Sequence, residues 1–456
     1  MASSRFPNEF LSPGQLQEIE NRITGHAKAG REDEAWASLR EMLAAARRQE
    51  FVAASVAYLV ARGIFSTEKS LEALEQVYNA YPKSETVLAV VGEALDRARD
   101  INFLNSPPPG HSLFQQVTDA LAELAANARG GDSEVMLLEG LSTAARMMAR
   151  QRDDLAETSY RRLIELEPEN SGHHYNYGLF LKTHGRFREG MVANQTANSI
   201  TGEPYDEATE WNLGICATGA GEAAVALEVW KRLNQKVEIG RLGLPEGSYA
   251  SVKVRVAERP LAERTCDPDD PGLEESIWID RLSPCHGVIR SVSYQDLGVD
   301  YGDVILIDGA PITEHTYGDS KIPVFPHLAT LHRAQYRLFN FAGTQETARQ
   351  LQEASSDLEG DTVIYSHTEK VKFLCASCWN DQKINHEHKQ TVEKHVVLGQ
   401  IAAPPGLDPV ELLKQLDAAM AKRPACRIYV PGLCEVAGFV DRAAVEQRRM
   451  NIIEDN

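Results

Sequence analysis

The sequence predicts an α plus α/β chain: a helical repeat array, or α-solenoid, over residues 13–240, then a mixed α/β domain over 249–456 with a small-barrel-like β segment. Three observations carry this. Small residues recur at one helix-hairpin period, with Ala144, Gly178 and Gly214 at steps of 34 and 36 residues. From about 13 to 238, apolar residues return at three- and four-residue steps, and Gly or Pro falls between segments. After Gly240 the texture changes, and Val252-Lys-Val-Arg-Val256 alternates strictly, as a half-buried strand does.

The composition is that of a soluble globular protein: 456 residues, 43% hydrophobic and 25% charged. Its net charge is −19. Phosphate contacts dominate nucleic-acid affinity, so an acidic chain without a basic block predicts no nucleic-acid partner. The same balance disfavours an anionic membrane surface. Seven sparse cysteines do not read as a disulfide framework. Residues 1–11 carry no apolar core with a cleavage site, and no segment is apolar enough to span a membrane. A cytoplasmic location is the expectation.

The helical half reads as roughly twelve helices, hence about six hairpins, after a tail at 1–12. The first pair ends near Arg48, with Gly30 at its turn and Ala35, Leu39 and Met42 on its second helix. Another second helix runs from Leu71 to Tyr78 and stops at Pro82. Asn105-Ser-Pro-Pro-Pro-Gly110 interrupts the array, because consecutive prolines cannot continue a helix. Beyond it the frame is clear. Ala144, Ala156, Tyr160, Leu163 and Pro168 mark one unit, Gly178, Gly190 and Ala197 the next, and Gly214, Ala226, Trp230 and Leu233 the last.

These units resemble tetratricopeptide repeats, strongly over 133–236 and loosely over the whole helical half. Asn194 stands where the family has an aromatic, and no Trp opens the unit at His174. The resemblance implies paired antiparallel helices whose opening helices line a concave groove for a peptide or partner protein. On that basis Asn176, Phe180 and Asn212 are the candidate partner-binding residues. An Asn amide offers both donor and acceptor to an extended backbone.

Arg241-Leu-Gly-Leu-Pro-Glu-Gly-Ser248 reads as a linker. Strands are expected at 252–256, 276–280, 288–294, 303–308, 362–365, 370–374 and 427–430, and helices at 344–353 and 409–422. Short strands punctuated by Gly287, Gly298 and Gly302 give 283–307 its barrel texture.

Chemistry-bearing residues concentrate in this second half. Cys375-Ala-Ser-Cys378 ends a strand and precedes His386 and His388. Two thiolates at that spacing grip one tetrahedral ion, and the two imidazoles complete a zinc site. Cys426 and Cys434 are the alternative second pair. The same CxxC also reads as a redox dithiol, or as two ordinary buried thiols. Cys285 reads as a buried thiol in a turn rather than a nucleophile, since His286 beside it points to the opposite face. His367-Thr-Glu369 has the spacing of an iron-binding pair but lacks the strands such a core needs. The function these observations favour is a repeat-mediated protein-binding adaptor carrying a structural zinc. The alternative is a metal- or thiol-dependent enzyme in the C-terminal domain, acting on a protein delivered by the repeats.

Overall fold

The computed structural model describes residues 10–98, 111–128, 130, 132–148, 150–264, 272–318, 320–375 and 391–455. Its first half is a tetratricopeptide-like solenoid with, among the described residues, twelve α-helices: α1 (Pro13–Lys28), α2 (Glu32–Ala46), α3 (Glu50–Ala61), α4 (Thr67–Ala80), α5 (Glu85–Ala94), α6 (His111–Asn127), α7 (Asp132–Arg146), α8 (Asp153–Leu166), α9 (Ser171–Thr183), α10 (Phe187–Thr201), α11 (Glu207–Gly219) and α12 (Ala223–Arg232). The proline-rich break at 105–110 lies outside the described residues.

Local chemistry sets the helix ends. Ser12 and Gln15 form a capping box at α1, with Pro13 in the first turn where its missing N–H costs nothing. Asp206 accepts the Thr209 N–H and starts α11. Gly185 and Gly221, one repeat apart, close the α9–α10 and α11–α12 hairpins at φ +68° and +73°, where a side chain is strained.

The repeat period is explained by close approach. Ala144, Ala156 and Ala226 are fully buried at helix contacts. A Cβ on Gly214 would lie 2.6 Å from the Trp230 ring, which is wholly buried. In the preceding repeat Asn194 takes that place, and a Cβ on Gly178 would lie 2.3 Å from its amide nitrogen. Its amide donates to the Gly190 carbonyl at 2.7 Å within its own helix, so a polar side chain fills an aromatic position with its N–H satisfied.

A hairpin of β1 (Glu238–Ile239) and β2 (Pro245–Glu246) occupies much of the expected linker. Next come β3 (Val252–Ala257), β4 (Glu274–Arg281), β5 (His286–Ile289), β6 (Val304–Ile307), β7 (Thr313–Tyr317) and β8 (Ser320–His332). The order β3-β4-β5-β6-β8 is antiparallel and closes by a parallel β3–β8 pairing into a five-stranded barrel, with β7 on the outer edge of β8. Val254, Val256, Ile277, Ile279, Ile289, Ile305 and Ile307 fill it. The alternating Lys253 and Arg255 therefore point outward. Lys253 is nonetheless buried, because the rings of Tyr317 and Trp278 cover its ammonium at 4.7 and 5.6 Å.

A second sheet follows with apolar clusters on both faces, and Val292, Tyr301 and Ala402 form a further cluster that joins it to the barrel side. Its strands are β9 (Arg337–Gln345), β10 (Val363–Cys375), β11 (Thr391–Ala403) and β12 (Arg427–Tyr429), in the order β10-β11-β9-β12. Helices α13 (Gln350–Glu353), α14 (Pro409–Ala421), α15 (Pro431–Val436) and α16 (Val440–Asp455) pack on it through Leu351, Leu412, Leu416 and Leu433, with α16 also contributing Ile453. Two expectations are corrected here. The helix expected at 344–353 starts only at Gln350, because Thr344 and Gln345 pair with Val396 and His395 of β11, and sheet pairing overrides local propensity. The two strands expected at 362–365 and 370–374 are one, joined through a bulge at His367.

Replacing Gly214 with Ala should lower the unfolding free energy by about 1–3 kcal/mol, since Trp230 has no room to withdraw. Denaturant unfolding of the full chain measures this, and an unchanged midpoint would show that the repeat contact is not tight.

Candidate functional site

The concave face expected to hold a partner is divided in two. Over the last repeats it is covered by the chain's own barrel. Leu213, Ile215, Cys216 and Trp230 share one apolar cluster with Cys285, Leu306 and Leu328. The ring of Trp211 and the side chain of Ile215 lie against Gly309 in the loop after β6. Lys182, only 3% exposed, donates from Nζ to Asn212 Oδ1 and to Asp308 Oδ1, both at 2.9 Å. Arg150 donates to the carbonyls of Thr183 and Leu261 at 2.5 and 2.6 Å. The solenoid and barrel are thus joined by an apolar patch and two buried cations.

This decides where the three sequence-derived partner residues lie. Asn212 is buried under the barrel and holds Lys182. Phe180 is buried between Tyr160, Tyr177 and the His184 ring, at centroid distances of 5.6, 6.3 and 3.9 Å. It packs the repeat rather than facing a groove. Asn176 alone is exposed, and it lines an open groove.

That groove lies between α5, α7, α8 and α9 and has a volume of about 270 Å³. Glu93, Asp96, Glu139, Ser142, Arg146, His173 and Asn176 are on its walls. Desolvation raises the carboxyl pKa of Glu93, Asp96 and Glu139, and Asp96 and Glu93 add repulsion at Glu93 and Glu139 respectively. Arg97 and Arg146 pull Asp96 the other way without cancelling the rise. His173 is bonded to Glu167 at 3.0 Å and reaches Glu139 only at 3.9 Å. Glu93 has no ion pair among the described residues.

Arg146 also faces a second cavity, a crevice between the solenoid and the barrel. Arg150, Asp153, His184, Arg255, Arg264, Asp308 and His327 supply its polar walls, and Met147, Leu179, Leu261, Ile312 and Pro326 its apolar ones. None of these arginines carries a sequence signature. The one available signal was the alternation of β3, which sends Arg255 out of the barrel.

The remaining candidates take ordinary positions. Cys285 is fully buried, and burial pushes its thiol up to about 11 and that of Cys216 up to about 12. Burial also holds His286 down at about 4, and its Nδ1 is engaged by Ser283 Oγ at 2.6 Å. Neither thiol has the thiolate character a nucleophile needs. His367 Nε2 meets Gln400 Oε1 at 3.3 Å, while Glu369 accepts from Gln345 at 3.0 Å. Cys375 is buried at the end of β10, opposite Thr391, whereas Cys378, His386 and His388 lie outside the described residues. Cys426 and Cys434 are buried beneath the second sheet. Among the described residues no group of three or more His, Cys, Asp or Glu is placed to hold a metal ion, and no helix is long and apolar enough to cross a membrane.

No family model and no curated protein matches the chain. Solved structures similar to it include "MamA AMB-1 P212121", 19% identical over 49% of this chain and 92% of that one at a TM-score of 0.26. Another is "YrrB: a TPR protein with an unusual peptide-binding site", 15% identical over 40% and 82% at 0.26. A third is "Naa15/Naa10 bound to HypK-THB", 16% identical over 50% and 37% at 0.25. The repeat fold itself is shown by the helix pairs and close contacts described above.

Two outcomes follow from this geometry. Lys182→Ala should cost about 3 kcal/mol, because it strands a partly buried Asp308 carboxylate, whereas Lys69→Ala, which breaks an exposed pair with Asp33 that water screens, should cost far less. Equilibrium unfolding of the two variants measures the contrast, and equal costs would contradict it. Second, Cys216 and Cys285 should resist alkylation at mildly alkaline pH until the chain unfolds, as read by peptide mass spectrometry. Fast modification of either thiol in the native protein would overturn the inert assignment.

Proposed function

We propose that this protein is a protein-binding adaptor whose open solenoid groove holds a basic segment of a partner. The observation that carries the reading is the convergence of Glu93, Asp96 and Glu139 on one open cavity beside Asn176. Their raised pKa values mean that ionising them in the groove costs more than it does in water. A Lys or Arg side chain in the groove relieves that cost, and Asn176 is free to meet the backbone that carries it. The barrel covers the neighbouring inner surface, so the segment bound is short. The location that fits this role is the cytoplasm.

The zinc reading of Cys375, Cys378, His386 and His388 belongs to the same proposal, as a structural site at the end of the β10–β11 hairpin. It is supported by the C-x2-C-x7-H-x-H spacing and the strand that ends at Cys375. About one zinc per chain is expected by elemental analysis, lost in Cys378→Ser and His388→Ala. Metal-free native protein leaves these residues as ordinary thiols and imidazoles.

The groove is tested with Lys- and Arg-containing peptides and their Gln-substituted counterparts. The basic peptides should bind to the full chain and the neutral ones should not. Asp96→Asn with Glu139→Gln should weaken binding about tenfold or more. Affinity should also fall as pH drops from neutral toward the ordinary carboxylate range near 4–5. A carboxyl with a raised folded pKa protonates above that range, and the neutral form no longer attracts a cation. The free chain responds oppositely. The penalty of charging these groups is absent below their unfolded values and complete above their folded ones, so they stabilise the fold less as pH rises. Equal affinity for basic and neutral peptides, or no loss in the double variant, would sink the reading.

A further inference from the structure

We propose that the crevice between solenoid and barrel is a binding site for a small organic carboxylate. Its anionic head meets Arg255 and Arg146, and its short apolar body lies against Met147, Leu179, Leu261 and Ile312. The cavity measures about 80 Å³, well above the ~10–15 Å³ that one water requires.

The charge balance of the walls argues for an anion. Four guanidinium groups and two carboxylates face the crevice in a chain whose net charge is −19. The acids there are already engaged. Asp153 is held by His184 at 2.7 Å and approached by Arg150 at 3.6 Å, and Asp308 is held by Lys182. Arg264 is paired with Glu274 just behind the wall. The cations are not all answered. Arg255 makes no hydrogen bond or ion pair to any described residue, and Arg146 makes none either, its Nε being buried and unpartnered. Arg150 is 93% buried by its side chain, yet its Nε also lacks a partner. Arg264 disfavours the charge on Arg150, and Arg255 disfavours that on Arg264, so the three repel one another across the space.

A carboxylate fits better than a more highly charged group. Asp96, on the groove side, already attracts Arg146, so among the described residues Arg255 is the crevice guanidinium with no opposing charge of its own. A single negative charge is what the site lacks. A guanidinium presents parallel N–H groups that match a carboxylate in a two-point bond. The apolar wall asks for a hydrocarbon body, which inorganic anions do not have. Because the walls come from the solenoid (Met147, Leu179) and the barrel side (Leu261, Ile312), an occupant touches both units. This inference does not rest on the peptide groove.

The test uses the full chain with butyrate, hexanoate and benzoate, each beside its neutral amide, and with inorganic phosphate. Thermal unfolding and calorimetric titration should both register the carboxylates, with the melting temperature rising as ligand is added, and should register neither the amides nor phosphate. Arg255→Gln removes an uncommitted charge and should weaken carboxylate binding about tenfold or more. Ala310→Phe, at an exposed position on the crevice wall, should abolish it while the ligand-free melting temperature stays near that of the parent. Silence from all three carboxylates at millimolar concentration overturns the proposal. So does undiminished binding by both variants, or phosphate binding as tight as that of the carboxylates.

Discussion

A helical repeat buries its apolar face only against a neighbour, so a finite array always presents an uncovered surface at its end. In this chain the barrel covers it. Leu213, Ile215 and Trp230 would otherwise border water, and Leu306, Leu328 and Cys285 of the barrel close over them in one cluster. At its centre Lys182 is enclosed with Asp308 and Asn212. A buried cation with two well-placed oxygen partners fixes one docking geometry, because any slip leaves a charge without a partner. The placement of everything else on the inner face follows from this contact.

The contact divides a surface that the repeats alone would leave continuous. Where the barrel sits, α9 and α11 turn their polar residues inward to serve the fold, as Asn212 does. Where it stops, α5 and α7 keep a polar groove open to water. Arg146, in the last turn of α7, borders both the groove and the crevice beneath the barrel edge. One side chain therefore feels the carboxylates of one cavity and the guanidinium groups of the other.

The helical half was legible because its constraint is steric and periodic. Gly214 must be small to admit Trp230, and that need recurs every repeat, so it is written at fixed spacing. Even the apparent departure at Asn194 keeps the rule, since Gly178 is small to admit its amide. The strands of the barrel were legible where one face is buried, as in β3. Long β8, β9 and β11 were not. β8 carries three turn- or polar-looking residues, Pro323, Pro326 and His327, and its pairing with β3 comes from some seventy residues back along the chain. Thr344 and Gln345 look helical by local preference and become strand only because β11 pairs with them.

The functional surfaces were the least legible, for a related reason. Asn176, Phe180 and Asn212 occupy helices that open their hairpins, which is all the repeat pattern can specify. Whether such a residue faces solvent, its own repeat or another domain depends on what docks above it, and the docking partner begins some forty residues later in a segment with no repeat. The crevice arginines extend the point. Arg146 and Arg150 lie at the connection between α7 and α8, Arg255 lies on β3 and Arg264 precedes an acidic stretch of sequence. Nothing local relates them, and a charge pattern spread over three segments has no periodicity to read. Only the closing of the barrel on the solenoid gathers them around one space, and that gathering gives each arginine neighbours of its own sign. A fold that tolerates such repulsion in its interior needs either compensation within the chain, which Glu274 and Asp153 supply for Arg264 and Arg150, or compensation from outside it. Arg255 has no counterpart among the described residues, so for that side chain the second route is the one the structure leaves open.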